Sequence, residues 1–241
     1  MIQSPRLPPP YRLLTLAPDA ESGPQARRLA REGADDGTLI WVPREEALDF
    51  ALILRPQDAV ERAVLVMYVG MLGMTEALGI VMPPMTEVTY TWPNQIDANY
   101  ARVGAIEIDL PAEIVPRSVP DWLILSAKVA VGPLPPETWE RNSGVTSLRD
   151  EGLGDMTPSD LLETFARHFL SWSYRWQDDG FDPVRSMWLI HAPSVGKEID
   201  IDVGGVRLRG VFSGIEDDGA MVLECNGTAR RVDLRDVLFG P

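Results

Sequence analysis

Thr91-Trp92-Pro93-Asn94-Gln95 is followed, after a short polar stretch, by Arg102-Val103-Gly104-Ala105-Ile106, and the reading of these two segments decides the fold. Pro93 fixes its own backbone and Asn94 readily bonds its own chain, so the first segment reads as a turn. Strands flank it, Val88 to Thr91 before and Val103 to Leu110 after, each rich in β-branched residues. In the later strand Glu107 and Asp109 alternate with Ile106, Ile108 and Leu110, which puts both carboxylates on one face. That face reads as solvated, with a metal pair as the sharper alternative.

Working upstream, Val60, Val64, Met67, Met71, Met74 and Leu78 recur at three- and four-residue steps. The spacing predicts the longest helix of the chain over Gln57 to Leu78, capped by Gly79. Strands are expected at Thr38 to Val42 and Leu48 to Leu54, and a short helix at Pro24 to Glu32 followed by a loop from Gly33 to Gly37. Pro5, Pro8, Pro9 and Pro10 make residues 1–12 an extended arm.

Working downstream, Leu123 to Val131 is a further apolar run, broken by Gly132-Pro133-Leu134-Pro135-Pro136. Thr157, Pro158 and Asp160 have the spacing of a capping box with proline at the first helical position. The helix they open carries Leu161, Leu162, Phe165, Phe169, Trp172 and Trp176 on one face, a packing stripe. Strands before and after helices predict an α+β fold, a mixed β-sheet with flanking helices.

After Pro193 the period shortens to that of strands. Ile199, Ile201 and Val203 alternate with polar neighbours, Val206 to Phe212 and Met221 to Leu223 continue the set, and Gly204-Gly205, Asp218-Gly219 and Asn226-Gly227 supply turns. A small all-β barrel or sandwich is expected there as an accessory unit. The expected division is an arm at 1–12, a main domain at 13–192 and a C-terminal domain at 193–241.

With 45% hydrophobic and 24% charged residues the chain reads as a folded globular protein. A net charge of -14 argues against a broad nucleic-acid interface, since phosphate binding rests on clustered Lys and Arg. The longest apolar run, Ala63 to Met74, is too short to span a bilayer, and the proline- and arginine-containing N-terminus lacks the apolar core of a secretory signal. With Cys225 alone, a cytoplasmic setting is expected. His168 and His191 lie too far apart for zinc-type spacing, and neither a P-loop, a dinucleotide fingerprint nor a G-x-S-x-G elbow around Ser147 is present. No metal site is expected.

The two central segments resemble the signature of biotin protein ligases, Lys-Trp-Pro-Asn-Asp followed by Lys-(Leu/Val)-(Ala/Gly)-Gly-Ile. Val145-Thr146-Ser147-Leu148 is similar to a later motif of the same family. Trp188, Gly196, Gly210, Gly214-Ile215 and Asp218-Gly219-Ala220 fall in the order of its C-terminal SH3-like module. The resemblance extends from about Leu13 onward, and the helix-turn-helix of family members that repress transcription has no counterpart.

The resemblance implies a biotin/lipoate ligase-like fold followed by an SH3-like barrel. It also implies ATP-dependent activation of a carboxylic acid such as biotin or lipoate as an acyl-adenylate, and transfer to a lysine of an acceptor protein. By position, Arg102 stands where the family has its lysine and is the catalytic candidate, with Trp92, Pro93, Asn94, Gly104 and Ala105 as ligand-binding candidates. The family's glycine- and arginine-rich loop is here reduced to Pro43-Arg44-Glu45-Glu46-Ala47, which removes an anion cradle. Thr91 and Gln95 replace a lysine and an aspartate.

Two readings follow. In one, the chain is a divergent, non-catalytic relative that binds a small carboxylic acid or a protein partner. In the other, it is an active acyl-protein ligase using ATP, magnesium and biotin or lipoate, with Arg102 on the acid or phosphate and Asn94 positioning it. A homodimer is implied by the family in either case.

Overall fold

The computed structural model describes residues 2–113, 115, 117–134 and 144–239; Pro135 and Pro136 of the breaker lie outside the described residues. The strands of the main unit are β1 (Arg12–Thr15), β2 (Thr38–Pro43), β3 (Ala47–Leu54), β4 (Val88–Thr91), β5 (Gln95–Ala98), β6 (Ala101–Asp109) and β7 (Leu123–Ala130). Its helices are α1 (Ser22–Arg31), α2 (Val60–Ala63), α3 (Val66–Val81), α4 (Pro158–Asp179) and α5 (Asp182–Ile190). The strands form one sheet in the order β1-β2-β3-β7-β6-β5-β4. β1 pairs in parallel with β2, and the remaining neighbours are antiparallel.

β2 and β3 are covered on both faces, which is why they read as almost unbroken apolar runs. Leu39, Trp41, Leu48, Phe50 and Leu52 enter the larger core with residues of α3 and α4. Ile40, Ala51 and Ile53 point the other way, onto Ala26 and Ala30 of α1 and onto Trp122 and Ile124. Asp49 shares that second face by alternation.

The capping box forms as expected. Asp160 N donates to Thr157 Oγ1 at 3.2 Å and Thr157 N donates to Asp160 Oδ2 at 3.0 Å, so two orphan amides are satisfied reciprocally. At 22 residues α4 is longer than α3 at 16, which corrects the expectation that Gln57 to Leu78 holds the longest helix. That stretch is divided. Leu65, Met67 and Tyr68 donate to the carbonyls of Arg62, Val64 and Leu65, three residues back, a tightened turn between α2 and α3. Nor does Gly79 cap α3: the helix continues to Val81 and stops at Met82, in extended conformation ahead of Pro83.

Taken together Val60–Val81 is long and apolar enough to cross a bilayer by length and composition, yet 78% of that window is buried within the fold, as in a core helix. Close packing demands glycine here. A Cβ on Gly73 would lie 3.0 Å from the Phe169 Cα, so the α3 and α4 backbones meet where neither carries bulk.

The C-terminal unit is a four-stranded antiparallel sheet ordered β11-β10-β9-β8, from β8 (Glu198–Val203), β9 (Val206–Ile215), β10 (Met221–Cys225) and β11 (Thr228–Val232), followed by α6 (Leu234–Phe239). It accords with the expected SH3-like module. The anticipated turns are present, with positive φ at Gly204, Gly205, Gly219, Asn226 and Gly227. Phe212, Met221, Leu223 and Val232 share the large core with Tyr68 and Trp188, and the Trp188 and Phe212 rings stand 6.5 Å apart edge to face.

Candidate functional site

Asp49 of β3, Lys128 of β7 and Ala105 of β6 lie in one cross-strand row. Beside α1 this face of the sheet opens into a cleft of about 430 Å³ bounded by the β2–β3 turn, β6 and the segment carrying Val145 and Thr146. The later motif thus sits where the central one needs a wall. Arg102 N donates to Gly144 O and Thr146 N donates to Arg102 O, each at 2.9 Å, laying Val145 parallel to β6. Ser147 is fully buried and donates to Asp150 Oδ2 at 2.7 Å, the role of a turn residue.

Of the six candidate site residues, the cleft brings together Arg102, Gly104 and Ala105. Gly104 is required by close approach: a Cβ there would lie 2.9 Å from the Val129 Cα and press on the Lys128 carbonyl. Trp92, Pro93 and Asn94 form the β4–β5 turn and stand outside the cleft lining. Trp92 is buried and its Nε1–H donates to Tyr68 Oη at 2.9 Å, while Asn94 O accepts from Ile106 N at 3.0 Å. Thr91 Oγ1 and Gln95 Nε2 both donate to the buried Asp97 carboxylate, at 2.8 and 2.6 Å, so neutral donors occupy the two positions where the family signature carries charge.

The cleft lining carries three cations, Arg44, Arg102 and Lys128, and three acids, the buried Asp49 and the exposed Glu46 and Glu107. Arg102 and Lys128 are exposed, and neither forms an ion pair among the described residues. Arg44 is engaged elsewhere: Nη2 donates to Ala20 O at 2.7 Å, Nε to Pro18 O at 3.3 Å, and Nη1 stands 3.6 Å from Asp49 Oδ2. Asp49 is 1% exposed and accepts from Ser22 Oγ at 2.5 Å; its Oδ2 has no hydrogen-bond partner among the described residues. Next to Trp92, complete burial pushes the Tyr68 phenol up out of its ordinary range.

The β2–β3 connection is a hairpin turn of Arg44, Glu45 and Glu46, with Pro43 opposite Leu48. Its few amides cannot surround a polyphosphate. No group of three or more metal-ligating side chains exists among the described residues. Glu107 is exposed, and Asp109 pairs with Arg27 at 2.7 Å. His168 faces Glu76 at 2.7 Å and His191 the Val88 carbonyl at 3.3 Å, two separate environments.

Lys128 and Asp49 escape the motif comparison because neither belongs to a signature segment. A signal exists nonetheless. Lys128 and Lys197 are the only lysines among 22 basic residues, and Lys128 interrupts an apolar strand, as Asp49 interrupts another.

Comparison with known proteins bears on the family and the fold. The profile of the Biotin/lipoate A/B protein ligase family matches residues 7–190. The chain is 26% identical over 204 residues to the biotin–[acetyl-CoA-carboxylase] ligase of Paracoccus denitrificans, covering 83% of each. The crystal structure of a biotin protein ligase-like protein of unknown function from Silicibacter superposes with a TM-score of 0.87 at 27% identity, covering 98% of this chain and 99% of that one. The biotin protein ligase of Aquifex aeolicus shares the fold, with a TM-score of 0.73 at 18% identity over 92% of this chain and 95% of that one. With the profile spanning most of the chain and both central segments in the expected order, the chain belongs to the biotin/lipoate A/B protein ligase family.

Proposed function

We propose that the cleft binds a small carboxylic acid of the biotin or lipoate class and that the chain does so without completing acyl transfer. The observation that carries this reading is the presence of Arg102 and Lys128 in one cleft, neither in an ion pair among the described residues, with Glu46 and Glu107 lining the same cleft. A guanidinium offers a carboxylate two parallel donors and an ammonium adds a point charge. Ala105, on the same face as Lys128, supplies a small apolar wall. Adenylation additionally needs preorganised donors around phosphate oxygens where charge develops. The short β2–β3 turn supplies few, and Arg44 is already engaged with Pro18, Ala20 and Asp49.

The name of the Paracoccus denitrificans relative favours a second reading, an active ligase that takes ATP, magnesium and the acid and acylates a lysine of an acceptor protein. Pyrophosphate exchange with ATP and biotin, lipoate or octanoate separates the two. The binding reading expects no exchange above background, and exchange with any of the acids establishes the ligase reading in its place. Thermal-shift titration with the same acids is expected to give a saturable rise in Tm that Arg102→Ala and Lys128→Ala each reduce. A flat response to all three acids removes the cleft's assignment. A cytoplasmic setting accords with the unpaired Cys225.

A further inference from the structure

The Arg102 cleft carries more charge than a plain acid requires, and the charge is of both signs. Arg102 reaches it through a β-bulge. Gln95 and Ile96 pair with Ala105 and Gly104, but Asp97 pairs with Arg102, so Val103 is an extra residue in β6. Val103 joins the core, and Arg102 returns to the face that Ala105 holds, because their partners Asp97 and Gln95 stand two residues apart. Lys128 of β7 lies opposite Ala105, and Glu107 follows two residues beyond Ala105 on the same face, about 7 Å further along β6. The order along the cleft is therefore Arg102, Lys128, Glu107. Glu46 sits at the Arg102 end, on the β2–β3 turn, where its carbonyl accepts from Val131 and Gly132.

Arg102, Lys128, Glu46 and Glu107 form no ion pair among the described residues, whereas the charges around them are already engaged. Arg44 stands 3.6 Å from Asp49, Asp109 pairs with Arg27 at 2.7 Å, and the Asp97 carboxylate accepts from Thr91 and Gln95. A plain carboxylate gains from Arg102 and Lys128 but leaves Glu107 unanswered. Glu107 repels it from within roughly one Debye length of 8 Å, too close for salt to screen fully. An ammonium at the far end of the ligand turns that repulsion into attraction, so the charge pattern discriminates between the two.

We propose that the occupant of the cleft is dipolar: a linear carboxylic acid with an ammonium at its far end, its carboxylate held by Arg102 and Lys128 and its ammonium by Glu107. The proposal rests on the reading of this cleft as an acid site and narrows it. Arg102 offers the carboxylate two parallel donors and Lys128 a point charge. The strand register sets the length, since Glu107 lies a full pleat repeat beyond the Lys128 row. An α-amino acid, with both charges on one carbon, is too short to bridge the two ends.

The test is calorimetric titration of the full chain at low ionic strength with three probes of one chain length: 8-aminooctanoate, octanoate and octylamine. 8-Aminooctanoate is expected to bind about fivefold more tightly than octanoate, the upper scale of one exposed ion pair, and octylamine most weakly. Glu107→Gln is expected to erase that margin by weakening 8-aminooctanoate and tightening octanoate, while Arg102→Gln weakens both acids. Octanoate binding as tightly as 8-aminooctanoate, octylamine binding tightest, or a margin that Glu107→Gln leaves unaltered overturns the proposal. Where octanoate binding still depends on Arg102, the acid-site reading survives that failure. No saturable binding of either acid also overturns the proposal, and titration with biotin and lipoate then decides whether the acid-site reading falls with it. Glu107 is exposed, so its replacement spares the fold and the comparison stands even where Arg102→Gln is unstable.

Discussion

The indole of Trp92 donates to the hydroxyl of Tyr68 at 2.9 Å, and that hydroxyl donates onward to the Gly219 carbonyl at 2.7 Å. A residue of the signature turn is thereby tied through α3 to the turn between β9 and β10, and its buried position is that of a structural link. Tyr68→Phe leaves Trp92 Nε1 and Gly219 O without partners, at a cost of about 2–4 kcal/mol for two buried groups. Trp92→Phe leaves the Tyr68–Gly219 bond intact and costs about 1 kcal/mol for the lost bond. Urea unfolding of both variants and the double variant is expected to be non-additive; simple additivity would contradict the chain of bonds.

Alkaline stability depends on the same phenol. Burial raises the pKa of Tyr68 and of Tyr90, both fully enclosed. In the unfolded chain a tyrosine loses its proton near pH 10, as about its ordinary value. Above that pH the unfolded state holds fewer protons than the folded one, so stability present below it declines as pH rises, by about 2.7 kcal/mol per pH unit for two such groups. Phenolate absorbance from these tyrosines is expected to appear together with loss of near-ultraviolet dichroism. Titration of all tyrosines in a still-folded protein would refute this.

Removing Arg44 leaves the buried Asp49 carboxylate without its counter-charge. Arg44→Ala is expected to cost about 1–3 kcal/mol, since Arg44 is itself partly exposed and stands 3.6 Å from the carboxylate. Adding Asp49→Asn should recover most of the loss. Chemical denaturation of the three variants decides it, and an Arg44→Ala protein of nearly native stability would show that water already compensates Asp49.

Between β6 and β7 there is no room for a side chain at Gly104. Gly104→Ala must push the strands apart, an overpacking cost of about 1–3 kcal/mol. Since Arg102 and Lys128 flank that position on the two strands, acid binding should weaken in proportion, as titration at a temperature well below the variant's Tm will show.

Legibility in the sequence followed the physics of each segment. The α4 cap was readable because Thr157, Pro158 and Asp160 act locally, and the C-terminal turns because left-handed backbone favours Gly and Asn at Gly204, Gly205, Gly219 and Asn226. β1 was hidden: Arg12–Thr15 is a mostly exposed edge strand with no alternating pattern, and its pairing with β2 is long-range. The division of Gln57 to Leu78 was hidden because both pieces are buried and carry the same apolar repeat. Arg102, Gly104 and Ala105 were found through their neighbours in sequence. Asp49 and Lys128 reach the cleft through strand register alone, which no local pattern encodes.

The core that joins Phe212 and Leu223 to Tyr68 and Trp188 also settles how the two units come apart. They share one core, so a chain cut after Ala192 would uncover Tyr68 and Trp188 and is expected to precipitate instead of folding. A single melting transition, raised as a whole by whatever occupies the cleft, is the behaviour such a joint dictates.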